Sequence, residues 1–215
     1  MNSNRSNNEQ VNQTAVGMAN VPELPVGAWE TEQYLRMISL FNHYRHDWMN
    51  EIQLLFGYIK LKKYDKLDGL MEKIRVKVQT ESLVAKLGVP ELVVYLFSFQ
   101  TEAKNLLLDV HMEQEIHLNE LFADAEGIGH MLIAVMELLK SQAVKHPDNE
   151  YRMTLRLGAE NDALKADFRY EGRLDSRWVD EKVQPLLRQC CVQTRSLINV
   201  EDYQTDIEIW VPLNI

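Results

Sequence analysis

Residues Trp29–Lys62, WETEQYLRMISLFNHYRHDWMNEIQLLFGYIKLK, decide the architecture of this chain. The stretch has no proline, no glycine before Gly57, and apolar residues at three- and four-residue intervals, which predicts one long amphipathic helix. Stepping 100° per residue puts Ile38, Phe41, Met49, Ile52, Phe56 and Ile59 on one stripe, which Tyr44, Trp48 and Leu55 widen on one side. His46 falls roughly 110° from the stripe's centre, on a polar strip with Ser39, Asn42, Asn50 and Gln53. An imidazole so placed is solvated, beside the seam of a helical bundle and within a partner's reach.

Beyond this helix, Lys63-Tyr64-Asp65 reads as a short turn before a second helix, from about Lys66 to Leu87, with a stripe of Leu67, Leu70, Met71, Ile74 and Val78. Gly88 and Pro90 form a stop signal. At 1.5 Å per residue the first helix is roughly 50 Å long, with more apolar circumference than one shorter partner covers. Pairing with its own copy, to give a four-helix bundle from two chains, is the simplest expectation. Residues 1–28, rich in Asn, Ser and Gln, are expected to be a disordered tail.

After Pro90 the pattern changes. A helix is expected from Glu91 to about Lys104, a strand over Asn105–Val110 and a helix over Ala123–Val144. Strands Tyr151–Leu157 and Leu164–Tyr170 flank a turn at Gly158–Asp162; a helix over Ser176–Gln193 and strands Ser196–Asn199 and Asp206–Val211 complete the set. The fold class is therefore α+β: a helical hairpin over 29–88, then an α/β sandwich over 89–215 whose helices cover one face of a mostly antiparallel sheet.

At 215 residues and 46% hydrophobic, the chain can bury a substantial core. Its net charge of −9 is uneven. Residues 30–88 carry 10 basic against 8 acidic side chains, and residues 89–215 carry 12 against 22. That balance argues against nucleic acid as a partner, whereas the mildly basic hairpin suits an acidic protein. No apolar run near the length of a membrane span and no basic-then-apolar leader is present, so a cytoplasmic location away from the membrane is expected. Cys190 and Cys191 are adjacent and read as small apolar core residues.

A neutral imidazole is a competent nucleophile near neutral pH, and attack on a phosphoryl group needs positioning and charge neutralisation. Asp47 is placed to hold the imidazole tautomer, Asn50 at i+4 to hydrogen-bond phosphoryl oxygens or a partner loop, and Arg45 and Lys60 to offset phosphoryl charge. Asn42 and Gln53 share the strip as partner-binding residues. The rival readings are a plain surface histidine, or a metal site from His43, His46 and Asp47, which lacks further ligands at suitable spacing. His111, His117, His130 and His146 are scattered and carry no functional reading.

The string His43-Tyr44-Arg45-His46-Asp47-Trp48-Met49-Asn50-Glu51-Ile52-Gln53-Leu54-Leu55, with Gly57 and Lys63-Tyr64-Asp65, resembles the sporulation initiation phosphotransferase B family. The close match covers Asn42–Asp65, and the resemblance in architecture runs from about Thr31. It implies a homodimer with a four-helix bundle, a C-terminal domain similar to the ATP-binding domain of sensor histidine kinases, and His46 as phosphoryl acceptor. It also implies a phosphorelay in which the group moves from the aspartate of one response regulator to His46 and on to the aspartate of a sporulation-controlling regulator. The receiver domains are then the partners. Magnesium belongs to their acidic pockets, and this chain binds no cofactor of its own.

Two alternatives stand beside it, a histidine kinase lacking a sensor and a non-catalytic dimerisation module that docks receivers. Against the kinase, the helix expected to end at Val144 has no asparagine over 125–144, and beyond Gly158 the only glycine is Gly172, so no Asp-x-Gly-x-Gly loop exists to approach nucleotide phosphates.

Overall fold

The computed structural model describes residues 26–144, 150–160, 162–189 and 194–213. The described residues fall into two units, divided between Met37 and Ile38. In the first, Arg36 and Glu32 pair at 2.8 Å across one helical turn. The second unit holds the remainder of the fold.

Helix α1 runs Val26–Lys60 and α2 runs Tyr64–Val84. The first begins three residues before its expected start, so Val26, Gly27 and Ala28 belong to the helix, and the rest of the expected tail lies outside the described residues. Lys62, at φ +54°, reverses the chain between the helices, and the Lys63 amide donates to the Tyr58 carbonyl to close the end of α1. The second helix stops at Val84. Gly88 then takes φ +74°, where a Cβ would collide with the Asn119 side chain.

Helix α3 (Pro90–Glu102) leads into strand β1 (Leu106–Met112). A short helix α4 (Leu118–Leu121), absent from the sequence expectation, precedes α5 (Ala125–Val144). Its amphipathic pattern is too short to register as a period. Tertiary contact fixes it instead: Leu118 is buried, and its amide donates to the Leu87 carbonyl at 2.9 Å.

Strands β2 (Tyr151–Glu160) and β3 (Ala163–Glu171) form a hairpin longer than expected. Glu160 pairs with Ala163, so Gly158 lies within the strand and the link is only two residues, of which Asp162 takes φ +59°. The expected helix over 176–193 is three pieces, α6 (Ser176–Trp178), a π-helical stretch Val179–Val183, and α7 (Gln184–Gln189). Pro185 explains the wider turn, because its ring would clash with the carbonyl four residues back in a regular helix. Strands β4 (Arg195–Val200) and β5 (Gln204–Pro212) complete a five-stranded sheet of order β1-β2-β3-β5-β4. Only β1 and β2 pair in parallel; the rest are antiparallel.

The period-two alternation of β2, β3 and β5 places Leu155, Phe168 and Ile207 in register on one face. That face is buried with Leu92, Leu96 and Phe99 of α3, Leu132 and Met136 of α5, and Val183 and Leu187 from the last helical pieces, in one core. The other face carries a charge ladder in which Arg169 pairs with Asp206 at 2.8 Å and Lys165 with Asp167 at 3.2 Å. The fold is thus a helical hairpin followed by a sheet with helices on one face, as the patterning predicts.

Candidate functional site around His46

On α1, Tyr44, Trp48 and Leu55 are part-buried, and the Tyr44 ring packs edge-on against Phe97 of α3 with centroids 6.0 Å apart. Ile38, Phe41, Met49, Ile52, Phe56 and Ile59, the stripe read from the sequence, are all exposed within one chain. On the strip beyond that stripe stands His46, its side chain 73% exposed.

The Nδ1 edge of His46 faces two groups. Asn50 Nδ2 lies 3.2 Å away, one turn along the helix, and Asp47 Oδ1 lies 3.8 Å away. The Asn50 contact is satisfied by either amide orientation. With nitrogen towards the ring, Asn50 donates to Nδ1 and Nε2 holds the ring proton; with oxygen towards the ring, it accepts Nδ1–H and Nε2 keeps its lone pair. The Asp47 carboxylate favours the second, since it attracts an N–H and repels a lone pair. Among the described residues nothing in the chain engages Nε2.

Asp47 is the hub of a small network. Its Oδ2 lies 3.6 Å from His43 Nε2 and 3.9 Å from Lys77 Nζ, the latter reaching across from α2. Glu81, one turn further on α2, has its carboxyl pKa raised, by burial above all, with the Lys77 charge opposing and the Asp47 charge adding to it. Burial, and then the charges of Glu81 and Asp47, push the Tyr44 phenol upward. These groups border a groove of about 530 Å³ between α1, α2, α3 and β1, floored by Val84, Leu96 and Phe97.

Of the residues singled out in the sequence, the structure joins His46, Asp47 and Asn50. Asn42 and Gln53 are exposed on the same strip without touching His46 in the described contacts. Arg45 sits instead on the apolar stripe, with Phe41 and Met49 at i−4 and i+4 and Ile38 and Ile52 at i−7 and i+7. Lys60 is fourteen residues on from His46, about 21 Å along the axis, so within one chain it does not offset charge at that imidazole. His43 enters as a neighbour of Asp47; among the described residues no group of three His, Cys, Asp or Glu side chains is placed to hold a metal ion. His117 and His130 pair with Glu115 and Glu91, each at 2.7 Å, and His111 borders the groove. His146, Cys190 and Cys191 lie outside the described residues.

Lys77 and Glu81 escape a reading of α1 alone. One signal pointed to the first: Asp47 and Lys77 are each fifteen residues from Lys62, so an antiparallel hairpin folded there sets them opposite one another. No described helix is long and apolar enough to cross a membrane.

Residues 29–87 match the family of the Sensor_kinase_SpoOB-type, alpha-helical domain. Sporulation initiation phosphotransferase B of Bacillus subtilis (strain 168) is 26% identical over 120 residues, 56% of this chain and 62% of the relative's own length. The resemblance carried by residues 42–65 is thereby borne out. Among solved structures, the catalytic domain of histidine kinase ThkA aligns with 61% of this chain and 90% of its own at 11% identity and a TM-score of 0.43. Histidine kinase AdeS of Acinetobacter baumannii covers 79% of this chain and 98% of its own at 12% identity and 0.43. ThkA in complex with the response regulator TrrA covers 91% of this chain and 68% of its own at 12% identity and 0.45.

Proposed function

We propose that this chain, whose hairpin belongs to the SpoOB-type family of alpha-helical domains, is a phosphorelay phosphotransferase with His46 as its acceptor. The observation that carries the reading is the orientation of that imidazole, exposed, with Nδ1 held by the chain and Nε2 directed away from it. The Nε2 lone pair attacks the phosphorus of a response regulator's acyl phosphate. The N–P bond forms, the P–O bond to the regulator's aspartate breaks, and the electron pair stays on that carboxylate. Nδ1 keeps its proton, and the Asp47 carboxylate 3.8 Å away offsets the positive charge that develops on the ring. Reversal onto a second regulator, one controlling sporulation, completes the relay. Magnesium is supplied by the receivers, where it neutralises charge on the transferring group.

Two further features fit. The exposed stripe on α1 is what a second copy covers when two hairpins form a four-helix bundle. Two glycines of the sheet domain sit where a side chain would not fit: a Cβ on Gly129 would press on Val89, and one on Gly172 would press on Tyr151 and Tyr170. With no asparagine over 125–144 and no Asp-x-Gly-x-Gly loop, the domain suits buttressing the bundle better than binding ATP, and no ATP-dependent kinase activity is expected.

The test is His46→Gln. Donor regulator carrying labelled phosphate is mixed with native or substituted chain and an acceptor regulator, and label on the acceptor is followed. Native chain is expected to pass the label and His46→Gln to pass none while remaining folded. Passage through the substituted chain would remove His46 from the mechanism and leave a docking module.

A further inference from the structure

Asp47 is held from behind. Its forward oxygen Oδ1 faces His46 Nδ1 at 3.8 Å, and its rear oxygen Oδ2 meets His43 Nε2 at 3.6 Å and Lys77 Nζ at 3.9 Å. Both halves of the cross-helix pair are about one-third exposed, at 36% and 37%, so water screens them less than it screens a pair standing free of the surface. Glu81 lies beyond Lys77 on the same helix and feels the Asp47 charge. The ammonium thus stands where it opposes repulsion between two carboxylates, and removing it would leave Asp47 drawn only towards His43 and pushed by Glu81.

We propose that Lys77 is a positioning residue for His46: it anchors the rear oxygen of Asp47 so that the charge of the forward oxygen, 3.8 Å from Nδ1, favours the Nδ1–H tautomer that Asn50 accepts, and the lone pair is presented at Nε2. The inference rests on the phosphotransfer reading for its consequence but not for its geometry. The charged groups concerned are His43, Asp47 and His46 on α1 and Lys77 and Glu81 on α2, with the Tyr44 phenol beside them. The tie also crosses the hairpin, so a change in the spacing of α1 and α2 is felt at the nucleophile without moving the backbone of His46.

The test uses the full chain with Lys77→Met, which keeps the apolar stem, and Lys77→Arg, which keeps the charge. Ring ¹⁵N shifts of His46 report which nitrogen carries the proton in the neutral imidazole. The native chain is expected to hold the Nδ1–H tautomer, Lys77→Met to move the population towards Nε2–H, and Lys77→Arg to restore it. Single-turnover transfer from a phosphorylated receiver falls roughly ten- to a hundred-fold in Lys77→Met and recovers in Lys77→Arg. A native-like tautomer in Lys77→Met, or equal loss in both variants, would overturn the proposal. The tautomer measurement needs no phosphoryl donor, so it judges Lys77 even if His46→Gln still relays label and the phosphotransfer reading fails.

Discussion

An imidazole on a helix surface becomes a nucleophile only when its surroundings decide which nitrogen faces outward. His46 and Asn50 were readable because a helix's period places i and i+4 together, and the contact is present at 3.2 Å. Arg45 and Lys60 were not, because residue type was weighed without angle and axial distance: one joins the apolar stripe, and the other sits about 21 Å away. His46→Gln replaces an exposed side chain and should change stability by no more than about 0.5 kcal/mol in urea unfolding. Glu81 makes a sharper prediction. Its raised pKa means the folded chain binds that proton more tightly than the unfolded one, so its contribution to stability is lost as pH rises through the folded value. Glu81→Gln should therefore melt higher than the native chain at neutral pH, with the gap closing as pH falls below the ordinary carboxylate value of 4.5. A gap that widens in acid would contradict this assignment.

At the scale of elements, periodicity located the helices and strands, and backbone chemistry moved their ends. The hairpin turn uses a left-handed Lys62 that no glycine or asparagine announced. Gly88 was legible as a stop, but the reason it must be glycine was not: φ +74° and the Asn119 side chain leave no room for a Cβ. Gly88→Ala should cost more than about 1 kcal/mol in urea unfolding, and a neutral result would show that Asn119 yields freely. The break of the last helix into a π-helical stretch before Pro185 follows from the proline ring, a local clash that a 3.6-residue pattern does not display. Helix α4 was invisible for the opposite reason, being fixed by the Leu87 carbonyl and burial of Leu118.

For the whole molecule, the division into a hairpin and a helix-covered sheet follows from the change of period at Pro90, and it is the arrangement observed. What one chain does not show is a cover for Ile38, Phe41, Met49, Ile52, Phe56 and Ile59. On the proposed bundle a second copy would supply it, so the native chain should sediment as a dimer and a Phe41→Glu/Phe56→Glu variant as a monomer; a native monomer at tens of micromolar would refute the bundle. On the proposed function His46 takes its phosphoryl group from a regulator and not from nucleotide. The most direct measurement incubates the purified chain with radiolabelled ATP alone and, separately, with a labelled phospho-receiver, and scores acid-labile, base-stable label. Label is expected only with the phospho-receiver; label from ATP alone, or none from the receiver, would contradict the phosphotransferase function.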